Sequence, residues 1–224
     1  MPALDIRAVR IGEEAVPVVI VDGFAPDPAA LRAAAIASRF EPAAAHYPGI
    51  RAPLPGDYLP SVRGAIATIF AQLFSMARSA RLLDASFSIV THPPAELTLE
   101  QRLPHIDSFE PGRIAMVHFL GDEDQGGTAF FRHRATGFET IDRERSERYR
   151  TILSDEVRAH PPPRAYIRDT TLLFERITLI EPRANRALFY PSALLHSGAI
   201  APDAALSADP VRGRLTITAF FAAT

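Results

Sequence analysis

Apolar residues run almost unbroken from Val16 to Val21 (VPVVIV) and stop at Asp22-Gly23, the pattern of a buried strand ended by a turn. Pro26-Asp27-Pro28 then opens a predicted helix over AALRAAAIASRF, with Asp27 as its cap. Pro42, Pro48, Pro53, Pro55 and Pro60 crowd the segment from Glu41 to Pro60 and predict a loop there. Ser61 is expected to cap a second helix, VRGAIATIFAQLFSMAR. Its apolar residues Ile66, Ile69, Phe70, Leu73, Phe74 and Ala77 recur at spacings of three and four.

Beyond Leu82 the texture changes to short extended runs. Phe87 to Thr91, Ile114 to Leu120, Thr128 to Phe131, Ile177 to Ile180, Ala187 to Tyr190 and Leu215 to Phe221 are predicted strands. Gly121 to Gly127 has the chemistry of a hairpin turn, and the charged stretch Asp142 to His160 is predicted to be a helix. Helices followed by many strands imply an α+β fold whose β part is a sandwich or jelly roll. The expected organisation is a single domain over 1–224, with a strand–helix region to about residue 82 and a β core from about residue 83.

Composition narrows the chemistry. The chain has 224 residues, 47% of them apolar, so it can fill a core without staples. It contains no Cys, which excludes disulfides, thiolate metal sites and a cysteine nucleophile. All 24 basic residues are Arg, so Schiff-base chemistry and a P-loop lysine are excluded too. A net charge of −2 offers no footprint for nucleic acid. No apolar run reaches membrane-spanning length and the N-terminus lacks a signal-peptide pattern, so a cytoplasmic protein is expected. The Arg-only, Ala-rich usage points to a bacterial source.

Three pieces of the strand-rich half carry candidate chemistry. In RLPHIDS, His105 and Asp107 stand at i and i+2, which on a strand face the same side. His196 in YPSALLHSG lies where a strand meets a turn, and a core-edge histidine bonded to the backbone is the plainer reading of it. Arg214 and Thr216 in GRLTITAFF share one face of an apolar strand, where a buried guanidinium asks for a carboxylate partner. Two His and one carboxylate are the donor set of non-haem Fe(II) sites, and an Arg fork matches the distal carboxylate of a diacid.

The order His-x-Asp, distal His, then Arg-x-Thr resembles the 2-oxoglutarate- and Fe(II)-dependent dioxygenases. GGTAFFRH is similar to the Gly-Gly-x-x-x-Phe strand of their prolyl-4-hydroxylase-like branch, and VVIVDGFAPDPAALRAAA to its strand-and-helix entrance. The resemblance implies a double-stranded β-helix, a jelly-roll or cupin-like barrel with N-terminal helices packed on one sheet. It implies Fe(II) held by His105, Asp107 and His196, and 2-oxoglutarate held by Arg214 with Thr216. The long stretch 197–213 before Arg214 leaves Arg212 as the alternative anchor. The implied reaction is hydroxylation or desaturation of a small-molecule, amino-acid or peptide substrate by O₂. Asp107 fills the position that a halide would need, which disfavours halogenation. A non-catalytic metal- or acid-binding barrel and a cupin enzyme that does not use 2-oxoglutarate are the alternatives.

Other residues divide between chemistry and packing. His118 is expected to be a satisfied core histidine before a substrate contact, while His133 and Arg134 after the Gly-Gly strand either form a solvated basic turn or contact substrate or co-substrate. The segment Arg134 to Thr171 is expected to be a substrate lid or a homodimer interface, and the loop His46 to Arg51 either covers the barrel mouth or simply connects.

Overall fold

Two-residue alternation along the central strands decides how the layers stack. The computed structural model describes residues 4–43, 46–73, 80–121 and 125–223. Its larger sheet has eight strands in the order β1 (Asp5–Ile11), β2 (Val16–Asp22), β9 (Arg186–Pro191), β6 (Arg113–Phe119), β11 (Leu215–Ala223), β5 (Ala80–Val90), β4 (Gly49–Ala52) and β3 (Glu41–Pro42). The smaller has three, β10 (His196–Gly198), β7 (Thr128–His133) and β8 (Phe174–Ile180). All these pairings are antiparallel.

On β9, Leu188 and Tyr190 face one way and join Val18, Ile20, Ala115, Phe119 and, from β7, Phe130 in the core between the sheets. Ala187 and Phe189 face the other way. They pack with Met116 and Ile217 under Leu31 and Ala35 of α1 (Pro28–Ala37) and Val62, Ile66, Ile69 and Phe70 of α2 (Tyr58–Leu73). The smaller sheet repeats the rule: Phe130 points inward, while Ala129 and Phe131 point outward onto Val157 of α3 (Arg143–Ala159), Ile141 and Ile167. Helices therefore cover the outer face of each sheet.

The predicted strands and the charged helix all form, and Asp27 and Asp142 cap α1 and α3 through bonds from the Ala30 and Arg145 amides. Two expectations are corrected, and one strand is added. The segment 41–60 is not all loop: β4 pairs with β5 over Gly49 to Ala52, between Pro48 and Pro53. Near a sheet edge so short a strand tolerates flanking prolines. α2 begins at Tyr58 rather than at a Ser61 cap, because Pro60 sits in a first turn that needs no amide donor. The Ser61 amide donates instead to Asp57 O, 3.0 Å, inside the helix. β1 carries no signal that the apolar pattern reveals, yet it pairs with β2, and β2 pairs with β9, so the N-terminal strands extend the same sheet as the C-terminal ones. Phe74, Ala77 and the centre of the Gly121–Gly127 turn, residues 122–124, lie outside the described residues. Among the described residues no helix is long and apolar enough to cross a membrane.

His118 lies on the helix-facing side of β6, fully buried. Its Nε2 meets Asn185 Oδ1 and its Nδ1 the Tyr58 hydroxyl, each at 3.0 Å. Asn185 Oδ1 accepts, because it also takes the Ala25 amide at 2.8 Å while Asn185 Nδ2 donates to Ala25 O. The imidazole is thus neutral with its proton on Nε2. Burial pushes its pKa from 6.5 down to about 4. A histidine depressed in the folded state is neutral there while the unfolded chain takes up a proton, so its contribution is complete above pH 6.5 and is lost as pH falls towards 4. Acidification from about pH 7 to about pH 5 is expected to remove roughly 2 kcal/mol through His118 alone. Urea unfolding at both pH values checks this: His118→Asn should show that much less pH dependence than the wild type, and equal dependence refutes it.

Candidate metal centre and cavity

Two distant segments are stitched together by a reciprocal backbone pair. The His105 amide donates to His196 O and the His196 amide to His105 O, both at 2.9 Å. This isolated bridge, not the continuous strand expected around His105, sets the two imidazoles side by side with ring centroids 4.4 Å apart. The Asp107 amide is anchored on Ser192 O at 2.8 Å, which swings its carboxylate between the rings. Asp107 Oδ2 lies 3.5 Å from His196 Nε2, and Oδ1 lies 3.9 Å from His105 Nε2. One donor atom from each residue falls within 4.8 Å of the others.

The orientation of His196 follows from its own backbone. Its Nδ1 donates to Leu194 O at 2.8 Å, which leaves the Nε2 lone pair towards the cluster. Burial pushes the His196 pKa down to about 4, so the ring is neutral, the form that ligates metal. Burial and the His196 ring push His105 the same way, although its side chain is half open to the cavity. Burial also raises Asp107 to about 6. A carboxylate held out of water beside two neutral imidazoles is best satisfied by a cation.

The three residues line a cavity of about 450 Å³. Arg214 and Thr216 line the same cavity, so the structure brings these five residues to one place. Arg214 is buried, with its guanidinium over the Phe119 ring at 5.5 Å. Nε donates to Gly126 O and Nη2 to Gly127 O, each at 2.9 Å. Both glycines are sterically required. A Cβ on Gly126 would lie 2.1 Å from Ala199 O, at a φ of +89°, and one on Gly127 would lie 2.0 Å from Ile180 O. The carboxylate partner expected for Arg214 is not found among the described residues; backbone carbonyls hold the guanidinium, and its charge is left uncompensated. Arg212 is exposed and pairs with Asp209 at 3.4 Å, away from the cavity lining.

His118, His133 and Arg134 do not line this cavity: His118 is the satisfied core histidine expected of it, and the substrate or co-substrate contact considered for His133 and Arg134 is not where the structure places them. His118 is on the opposite face of the sheet. His133 is buried behind β7, with Nε2 2.7 Å from Glu156 of α3 and Nδ1 2.9 Å from Thr136 Oγ1. Arg134 is exposed and donates to Thr171 O at 3.2 Å. Of the segment Arg134 to Thr171, Tyr166 lines the cavity, with its hydroxyl on His92 O at 2.8 Å, while α3 packs on the outer face of the smaller sheet.

Tyr190 lines the cavity without having been singled out, and Tyr47 and Arg51 line it from the loop His46 to Arg51, which was expected either to cover the barrel mouth or simply to connect. The Tyr47 hydroxyl is buried beside Thr216 and Ser88, in the field of Arg214 and Arg51. Its signal in the sequence was an aromatic next to His46 in a proline-rich loop, which has no period to read.

Residues 2–221 match a family of unknown function, DUF6445. A sequence search of curated proteins found no match. Among solved structures, the chain is similar to HygX from Streptomyces hygroscopicus with nickel, 2-oxoglutarate and hygromycin B bound, at 11% identity and a TM-score of 0.49, covering 94% of this chain and 84% of that one. It is also similar to EvdMO1, at 13% identity and a TM-score of 0.44, covering 99% of this chain and 55% of that one.

Proposed function

The chain belongs to the family of unknown function DUF6445, and we propose that it is an Fe(II)- and 2-oxoglutarate-dependent oxygenase acting on a small substrate. One observation carries this reading: two neutral imidazoles and a carboxylate line the same cavity as a buried guanidinium that has no protein carboxylate. The donor set fits a divalent first-row metal, with His105, Asp107 and His196 on one side and the cavity on the other. Bound iron and 2-oxoglutarate supply the chemistry: O₂ oxidises a substrate C–H to C–OH while 2-oxoglutarate is converted to succinate and CO₂.

The protein's own residues do the positioning. Arg214 receives the distal carboxylate of 2-oxoglutarate, held in place by the Gly126 and Gly127 carbonyls, and Thr216 and the Tyr47 hydroxyl supply further donors to it. Tyr190 and Phe130 pack edge-on to one another, and the Tyr190 ring lies edge-on to His196, with centroids 5.1 and 4.8 Å apart, keeping bulk water from the buried ligand. Asp107 as a third ligand favours hydroxylation or desaturation over halogenation. The facing antiparallel sheets support a double-stranded β-helix, and the Gly126-Gly127 strand supports the prolyl-4-hydroxylase-like branch.

Purified protein with Fe(II), ascorbate and O₂ should convert 2-oxoglutarate to succinate slowly without substrate, in proportion to added iron. A protein that binds metal but neither binds nor turns over 2-oxoglutarate is instead a cupin-type enzyme or a metal-binding barrel.

A further inference from the structure

The oxygenase reading leaves one cavity cation without a role, and that cation is Arg51. It stands opposite Ser88 on β5, which in turn stands opposite Thr216 on β11, so the three form a row across the inner face of the larger sheet. The Arg51 guanidinium lies over the Tyr47 ring, 4.8 Å from its centroid, which fixes its plane. Nη1 leans towards Asp84 at 3.6 Å, longer than a hydrogen bond, and that carboxylate is itself 58% exposed. Nε is buried with no acceptor. The Nε–Nη2 edge, the side a carboxylate engages with two parallel bonds, therefore carries no hydrogen-bond acceptor among the described residues.

Charge bookkeeping points the same way. A divalent metal with Asp107 leaves one positive charge, Arg214 adds another, and the two carboxylates of 2-oxoglutarate balance both. Arg51 is then left on the cavity wall with the exposed Asp84, at 3.6 Å and beyond hydrogen-bond length, as its carboxylate neighbour. Glu100, the remaining carboxylate of the lining, is exposed at the rim and engaged with Thr98. At about 450 Å³ the cavity is of small-ligand size.

We propose that Arg51, braced on Tyr47, receives the carboxylate of a small carboxylic-acid substrate and so presents its C–H bond to the metal centre. This rests on the oxygenase reading. The test loads the protein with Zn(II) and 2-oxoglutarate, so that nothing turns over. It then measures by calorimetry the binding of a panel of short aliphatic, aromatic and amino acids, each paired with its primary amide. At least one acid should bind roughly 10- to 100-fold tighter than its amide, a preference that Arg51→Ala and Arg51→Met both abolish. Affinity for 2-oxoglutarate should fall by no more than about fivefold in both variants, since Arg51 reaches the co-substrate site only through the Tyr47 ring. Acids and amides binding wild type alike, or no acid binding at all, overturns the proposal. A 10-fold or greater loss of 2-oxoglutarate affinity in the Arg51 variants also overturns it, because Arg51 then belongs to the co-substrate site. Failure of the wild type to bind 2-oxoglutarate in the first place removes the oxygenase reading, and this assignment with it.

Discussion

His196→Ala and Asp107→Ala are each expected to weaken binding of Fe(II), or of Mn(II) as its stand-in, by at least about 100-fold, since loss of a partner behind a ligand alone costs 10- to 100-fold. The reason is geometric. His105 and His196 come together through a single backbone bridge, and Asp107 is steered between them by Ser192, so the cluster has no fourth donor among the described residues to compensate. His133→Asn and His118→Asn are the controls, because both rings are committed to structural hydrogen bonds elsewhere. Anaerobic calorimetry checks the set, with far-ultraviolet circular dichroism confirming that each variant folds. Wild-type affinity in His196→Ala would remove this residue from the site. A similar loss in both control variants would show that the effect is global.

Arg214→Ala should raise the dissociation constant of 2-oxoglutarate by about 30-fold or more, the consequence of losing a charge-assisted pair worth roughly 2–5 kcal/mol. Stability of the ligand-free protein should fall much less, by no more than about 2 kcal/mol, because the variant loses two bonds to backbone carbonyls but also sheds a buried, uncompensated charge. A purely structural arginine would show the reverse, a large fall in stability with 2-oxoglutarate affinity unchanged. Arg212→Ala, at an exposed position paired with Asp209, should do neither. If Arg212→Ala carries the loss of affinity instead, the anchor moves by two residues.

Much of this architecture is legible in the chain. The extended apolar run Ala187 to Tyr190, the charged helix after Asp142 and the cap Asp27 all follow from local rules, because each depends on neighbours within a few residues, whereas Gly126 and Gly127 are required by the distant Ala199 and Ile180 carbonyls. The five residues His105, Asp107, His196, Arg214 and Thr216 were also visible as types at suggestive spacings.

Three-dimensional packing decided the rest. His118 and His196 look alike in sequence, each following apolar residues near a strand end. One is turned to Tyr58 and Asn185 under the helices and the other to Asp107, because neighbouring positions on a strand face opposite layers and only the stacking of sheets says which layer is the cavity. The proline-rich segment 41–60 has no period at all. Its strand exists because β5 offers an edge, and that pairing brings Tyr47 and Arg51 to the cavity wall. The composition and the short-range pattern of this chain thus determined most of its strands, the cap Asp27 and the identity of its candidate ligands. Which of its cations remained without a counter-charge was decided only by tertiary structure, since burial and charge balance are properties of contacts between segments far apart in the chain.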